Sequence, residues 1–331
     1  MIPQLYALLA ALFFGISTPF SKTLLNNLAP LQLSGLMYIG GSIGLFVVTP
    51  LLSLKKNESQ QKQTATRADW IFLLFATISG GIAAPVLVLI GLQSTAAATA
   101  SMLLTLESVA TAILAWSFFS ERINKKVWIA VALITLSAIV LSFDVSGKWS
   151  LSTGAILIAV ACIMWGLDNN LSSRIKGLPI HVIVMVKSGA AGIVSLSLSF
   201  LLGNHLPATL IVFQAMILGF ISCGLSLCCF MVSLRQIGAS QTSSLFGTAP
   251  FIGAVISLVL FWQLPSVQML CSLPFLVLGV MLLLRQEHSY LHSHGAVQHS
   301  HAHSHNDRLH NHHHHAEDSA NGHTHEHEPA S

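Results

Sequence analysis

Four ionisable side chains lie inside long apolar stretches of the 331-residue chain, namely Lys22, Glu107, Asp168 and Lys187. A charge at the centre of a lipid bilayer costs about 2.5 to 3.5 kcal/mol even on the most lenient insertion scale. Each of the four therefore needs a charged partner, a water-filled cavity or a route to the bilayer surface. Such residues commonly mark substrate, ion or proton sites, so these four are the first candidates for function.

Glu107 lies near the middle of its apolar stretch, and its side chain is too short to reach either surface of a bilayer. A carboxyl at that depth is a candidate proton carrier. The alternative is a hydrogen-bonded carboxyl in a helix interface, for which Ser101, Thr105 and Thr111 offer hydroxyl groups nearby in the sequence.

Asp168 belongs to the sequence WGLDNN, in which Asn169 and Asn170 follow it and Trp165 precedes it. A helix surface facing lipid tails would not accept three successive polar side chains. They either line a cavity, in which Trp165 offers a ring face to a substrate, or mark the inner end of a span. Lys187 is expected at a similar depth, so it could pair with Asp168 across a helical hairpin.

Lys22 lies close to the outer end of the first apolar stretch, where its long stem could lift the ammonium group to the lipid headgroups. The alternative is a cation that faces a cavity and binds an anionic group of a substrate. Pro19 favours this alternative, because a proline leaves backbone polar groups of a helix without partners.

A histidine-rich tail follows the apolar part of the chain and holds fifteen of the 17 histidines. Imidazole suits divalent Zn, Ni or Co, so a chelating tail is the favoured interpretation over a pH-responsive polycation or a spacer. With so few apolar residues the tail should be disordered without metal. The candidate ligands are His292, His294, His299, His301, His303, His305, His310, His312, His313, His314, His315, His323, His325 and His327.

The elements that must position these residues are membrane-spanning helices. The chain is 53% hydrophobic and 8% charged, whereas a soluble domain carries about 25% charged residues. Apolar runs long enough to cross a bilayer predict an all-α membrane protein with ten spans. The predicted spans are 4–25, 31–53, 70–92, 95–118, 127–145, 152–172, 181–202, 208–233, 243–263 and 267–284.

Lysine and arginine are concentrated in every second connection between these spans, and Lys148 alone lies in the others. The protein is expected in the inner, or plasma, membrane. Since basic residues stay on the cytoplasmic side, both termini and the tail are expected in the cytoplasm. The formal net charge of +3 reflects this bias and does not indicate a nucleic-acid partner.

Two pairs of stretches match each other within the chain. QSTAAATASMLLTLE (93–107) matches QIGASQTSSLFGTAP (236–250) at five positions, and FFGISTPFSK (13–22) more weakly matches MWGLDNNLSS (164–173). Two halves of five spans each would enter the membrane in opposite orientations, because five is odd. An inverted repeat of this kind suits alternating access.

These stretches, together with SVATAILAWSFFSERI after Glu107, resemble the EamA type of the drug/metabolite transporter superfamily. The resemblance implies two inverted five-helix EamA repeats, 1–145 and 146–285, followed by a disordered cytoplasmic tail, 286–331. Where the first exit loop reads FFSERI, the second reads LFWQLP, so the glutamate has no counterpart there. The resemblance carries no functional residue over.

The expected function is a secondary transporter that exports a small metabolite or drug and has a metal-binding tail. The sequence leaves open whether transport is coupled to protons. The alternative is a transporter of a divalent metal or a metal-linked metabolite. No HExxH, P-loop or Gly-x-Ser-x-Gly motif points to an enzyme. The expected partners are a small-molecule substrate, the lipid bilayer and a divalent metal at the tail; no cofactor is required, and a homodimer stays open.

Overall fold

The computed structural model describes residues 3–51, 65–119, 125–142 and 152–286. Every regular element within these ranges is a helix. The predicted tail beyond Gln286, with all its candidate metal ligands, lies outside the described residues.

The first half of the chain contains eight α-helices, several of which are pieces of one longer span. α1 and α2 form a kinked pair, and α4 and α5 are joined without a break by a π-helical segment, π1. The elements are α1 (Pro3–Gly15), α2 (Ser17–Leu24), α3 (Pro30–Leu51), α4 (Arg67–Ala76), π1 (Thr77–Ala83), α5 (Ala84–Ser94), α6 (Ala97–Leu103), α7 (Leu106–Phe119) and α8 (Lys125–Ser142).

The second half repeats this sequence of elements with one fewer kink at its start. A second π-helical segment, π2, joins two α-helices as π1 does. The elements are α9 (Thr153–Ser172), α10 (Ile180–Leu201), α11 (Thr209–Gly219), π2 (Phe220–Leu225), α12 (Ser226–Phe246), α13 (Ala249–Leu260) and α14 (Val267–Gln286).

Eight described helical segments are long and apolar enough to cross a membrane, and two more, Ala249–Leu260 and Val267–Leu282, are apolar but shorter. The protein is thus a multi-pass membrane protein by the length and composition of its helices. α13 (Ala249–Leu260) is shorter than the ninth predicted span, 243–263, whereas α14 (Val267–Gln286) covers all of the tenth, 267–284.

The ninth predicted span is shortened because α12 runs on to Phe246. Within α12 the hydroxyls of Ser233 and Thr242 lie 3.0 Å apart, although they are separated by nine residues. Nine residues of straight helix would rise about 13.5 Å. The chain therefore doubles back inside α12, and its last turns belong with α13 rather than with α11.

The two halves pack their corresponding helices against each other. α1 lies against α12 and α13, while α9 lies against α5 and α7. α3 and α10 pack together at the centre, and α8 and α14 pack together elsewhere in the fold. This exchange buries the first helix of each half in the other half.

Glycines permit the closest of these approaches. A Cβ atom at Gly219 would overlap the backbone of Met37, and one at Gly40 would overlap the backbone of Met216. α3 and α11 can therefore touch backbone to backbone, as small residues allow in membrane helices.

Candidate functional site

A cavity lies between α1, α2, α3, α5, π2 and α9 and has an empty volume of about 520 Å³, the space at its mouth included. Its walls are mainly aromatic and aliphatic, with hydroxyl and sulfur groups between them. The lining residues are Phe14, Ser17, Thr18, Ser21, Ser34, Met37, Tyr38, Pro85, Val88, Leu89, Leu92, Leu104, Trp165, Ser222 and Cys223.

Two aromatic lining residues are fixed by the same backbone carbonyl in π1. Trp165 Nε1 donates a hydrogen bond to the Gly80 carbonyl oxygen at 3.0 Å, and the Tyr38 hydroxyl donates to the same oxygen at 3.2 Å. The ring of Phe14 meets Trp165 edge to face at 5.9 Å. The aromatic part of the wall is therefore held rigidly by a turn of irregular backbone.

Asp168 and Lys187 form an ion pair beside this carbonyl. Lys187 Nζ donates to Asp168 Oδ2, and the Ser172 hydroxyl donates to the other carboxylate oxygen at 2.9 Å. Both charged residues are buried. A Cβ atom at Gly80 would overlap the Asp168 carboxylate, so only glycine leaves room for the pair at that position.

Glu107 lies in the first turn of α7 and pairs with an amide rather than with a cation. Asn169 Nδ2 donates to Glu107 Oε1 at 2.8 Å, and it also lies 3.3 Å from the Thr111 hydroxyl. Asn170 Nδ2 donates to the Thr111 carbonyl at 3.1 Å. These contacts tie α7 to α9.

Lys22 closes the end of another helix. Its ammonium donates to the carbonyls of Leu92, Gln93 and Thr95, which lie at the carboxyl end of α5 and just beyond it. A cation there satisfies carbonyls that have no partner within the helix, and it is attracted to the negative end of the helix dipole.

Trp165 alone of the seven predicted cavity residues lines this cavity. Asp168 and Lys187 lie behind its wall at Gly80, Glu107 lies with Asn169 and Asn170 at the α7–α9 contact, and Lys22 lies at the end of α5. The structure thus brings the predicted residues into three separate polar contacts. It does not gather them around one space.

The other lining residues were missed because most of them are ordinary apolar or hydroxyl side chains of membrane helices. A signal for some of them was present, since residues 13–22 match 164–173 and Phe14 stands at the position of Trp165. Cys223 also borders the cavity.

A model of the EamA-like transporter family matches residues 1–143 and 152–285. The chain belongs to the EamA-like transporter family. It is similar to a protein of Methanothermobacter thermautotrophicus described as an uncharacterized transporter, with 29% identity over 287 residues and 83% of each chain covered. A solved crystal structure at 14% identity has a TM-score of 0.63 and covers 88% of this chain and 99% of the other, which shows the fold alone.

The two repeats of this EamA-like transporter share their irregular backbone. Extending the match of 93–107 with 236–250 towards the amino terminus pairs Ser79 with Ser222. In that register π1 and π2 begin at corresponding residues, Thr77 and Phe220. The break between α6 and α7 likewise corresponds to the break between α12 and α13.

The repeats differ at the site itself. The match of 13–22 with 164–173 pairs Ser17 with Asp168, and it pairs Ser21 with Ser172. Ser172 donates to Asp168, whereas Ser21 lies 3.6 Å from the sulfur of Met37. One repeat of this EamA-like transporter therefore has a buried carboxylate where the other has the hydroxyl of a cavity wall.

The position of Lys187 also has an uncharged counterpart. Gly81 in π1 lies beside Ala191 and Lys187, and its counterpart Gly224 in π2 lies beside Gly41. Aligning Gly41 with Ala191 pairs Lys187 with Met37, which lines the cavity. Two residues of the cavity wall, Ser17 and Met37, thus stand where the other repeat has the ion pair.

Proposed function

We propose that this EamA-like transporter is a secondary transporter that moves a small metabolite or drug across the inner membrane by alternating access. The observation that carries this proposal is a cavity whose wall includes Ser17 and Met37, while the corresponding positions of the other repeat hold the Asp168–Lys187 ion pair. Alternating access requires a site that is open towards one side while the other side is closed.

The proposal includes ten spans in two inverted halves. The last turns of α12 and the helix α13 together would form the ninth span, as α6 and α7 form the fourth. Thr105 and Thr248 lie at the corresponding breaks and support this comparison. The hydroxyl of each donates a hydrogen bond to the carbonyl three residues earlier, at 2.7 Å. With five spans in each half, the second half starts from the opposite side of the membrane.

On the orientation expected from the basic residues, the cavity opens outwards and the ion pair closes the inner side. Ser21, Ser34 and Leu92 lie near the ends of α2, α3 and α5 that precede or follow outer connections. Asp168 and Lys187 lie one and two turns from the connection between α9 and α10, which carries Arg174 and Lys176. Separation of this pair would open the inner side.

The test is the accessibility of cysteines on the two sides. Cys223 is kept as the only cysteine, and in a second protein Ser172→Cys replaces it. In oriented vesicles a membrane-impermeant maleimide should label Cys223 from outside and leave Ser172→Cys slowly labelled from inside.

Adding Asp168→Asn should reverse the pattern, with faster labelling at position 172 and slower labelling at Cys223, because one end of the transporter closes as the other opens. Labelling that rises at both positions together would contradict alternating access. Gly189→Ala, in which the new methyl group meets mainly the Ser42 hydroxyl, is the matched control and should change neither rate.

Glu107 is the proposed proton carrier, since its carboxyl accepts a hydrogen bond from the Asn169 amide and pairs with no described cation. Transport by Glu107→Gln should lose its dependence on a proton gradient while the protein still folds, because glutamine keeps the size of the side chain. Unchanged dependence would assign Glu107 to the α7–α9 interface alone.

The cytoplasmic tail is proposed to bind Zn, Ni or Co, and metal transport remains the alternative function. That alternative rests on the sequence of the tail. Among the residues that the structure describes, no group of three or more histidine, cysteine, aspartate or glutamate side chains could hold a metal ion.

A further inference from the structure

We propose that the cavity binds an uncharged amphipathic molecule, one with an apolar ring or branched body and a hydroxyl or similar neutral polar group. This inference deepens the proposed transport function and rests on it. It excludes anionic metabolites such as phosphates and carboxylates, and simple organic cations, as ligands of this cavity.

The first support is that, among the residues that the structure describes, no charged side chain lines the cavity. The four ionisable groups inside the spans are directed elsewhere: Lys22 to carbonyls of α5, Glu107 to Asn169, and Asp168 to Lys187. An ion that entered the cavity would lose its water without gaining a counter-charge, which is costly in a low-dielectric site. A neutral molecule avoids that cost.

The second support is the apolar body of the lining. Val88, Leu89 and Leu92 line the cavity together with Phe14 and Trp165. Such walls favour a ligand that buries apolar surface, and aromatic walls favour a flat ring.

The third support is a hydroxyl group with no partner. Ser34 lines the cavity and is 1% exposed, and its Oγ makes no hydrogen bond to the described protein atoms. A buried polar atom without a partner is costly, and a ligand hydroxyl or carbonyl could satisfy it. Ser17 and Thr18 offer further hydroxyls on the neighbouring wall.

Aromatic ring faces can also attract cations, and Phe14, Tyr38 and Trp165 all line the cavity. Those ring faces alone would have to replace the hydration of a cation, because among the described residues no carboxylate lines the cavity.

The test compares four probes that share one ring: toluene, benzyl alcohol, benzoate and benzylammonium. Binding to the full chain in detergent is measured by saturation-transfer NMR. Benzyl alcohol should bind at least tenfold more tightly than benzoate or benzylammonium. Leu89→Trp, which fills the cavity, should abolish the difference between the probes.

The hydroxyl is tested by Ser34→Ala. This change should weaken the binding of benzyl alcohol about two- to tenfold, the range for one hydrogen bond, and leave the binding of toluene unchanged. Ser195→Ala is the matched control, because Ser195 is also a fully buried serine without a partner but does not line the cavity.

Tighter binding of benzoate or benzylammonium than of benzyl alcohol would overturn the inference. So would binding of benzyl alcohol that Leu89→Trp leaves unchanged, because the probe would then lie in detergent or elsewhere on the protein. The cysteine-labelling test is independent of these probes. If cysteine labelling alternates but the probes bind in the reverse order of affinity, the transport proposal is supported and only the proposed ligand class is contradicted.

Discussion

Gly80 is the residue on which the polar centre of the protein depends. Its carbonyl receives Tyr38 and Trp165, and the space beside its Cα is taken by the Asp168 carboxylate. We expect Gly80→Ala to lower stability by about 1 to 3 kcal/mol, as overpacking does in well-packed cores. The measurement is the thermal unfolding midpoint in detergent, with Gly189→Ala as the control that should lie close to wild type.

The Asp168–Lys187 pair should show strong coupling between its two members. Lys187→Met alone leaves a buried carboxylate without a partner and should cost about 3 to 5 kcal/mol. Asp168→Asn with Lys187→Met removes both charges and should cost less than Lys187→Met alone. A double-mutant cycle on unfolding in detergent checks this, and a double variant less stable than Lys187→Met would contradict it.

At the scale of single residues, the similar depth of two opposite charges on neighbouring spans predicted the contact between Asp168 and Lys187. The partners of Lys22 could not be found in the same way, because they are backbone carbonyls at the end of another helix. Every residue has a backbone carbonyl, so the side-chain sequence does not indicate which carbonyls a lysine will bind. The residues that line the cavity were equally hidden, since serine and leucine occur throughout membrane helices.

At the scale of elements, α4 begins at a cap that also holds a distant loop. The Asp69 carboxylate accepts the backbone N–H and the hydroxyl of Thr66 at 2.8 and 2.7 Å. It also accepts the N–H groups of Lys176 and Gly177, at 3.0 and 3.4 Å, from the connection between α9 and α10. The carboxylate thus links the two repeats close to the ion pair.

We expect Asp69→Ala to release that connection. Loss of the cap and of the loop hydrogen bonds should cost about 1 to 3 kcal/mol. Hydrogen exchange measured by mass spectrometry should become faster at Lys176 and Gly177. Thr66→Ser retains the capping hydroxyl and should leave exchange at both amides as in wild type.

The helical class and the number of apolar segments follow from hydrophobicity, because a helix must satisfy its own backbone in lipid. The π-helical turns do not follow from it, because they depend on hydrogen bonds between backbone groups, which apolar periodicity does not reveal. The reversal inside α12 lies between Ser233 and Thr242, where the sequence separates the eighth and ninth predicted spans.

At the scale of the whole molecule, the membrane bundle should be independent of the histidine-rich tail. A chain that ends at Arg285 should still insert, since the described spans lie upstream of that residue and so do most of the orienting basic residues. Calorimetry should show the loss of most Zn or Ni binding. Full metal binding by the shortened chain would move the metal site into the bundle and favour metal transport.

The matching positions of π1 and π2 record the order of events in the history of the chain. A π turn holds one residue more than an α turn, so each segment marks an insertion in a helix. Descent of both repeats from one half would leave such a turn at corresponding residues of each. On that descent the wide turn would be older than the difference in charge at Asp168 and Lys187, which only one repeat carries.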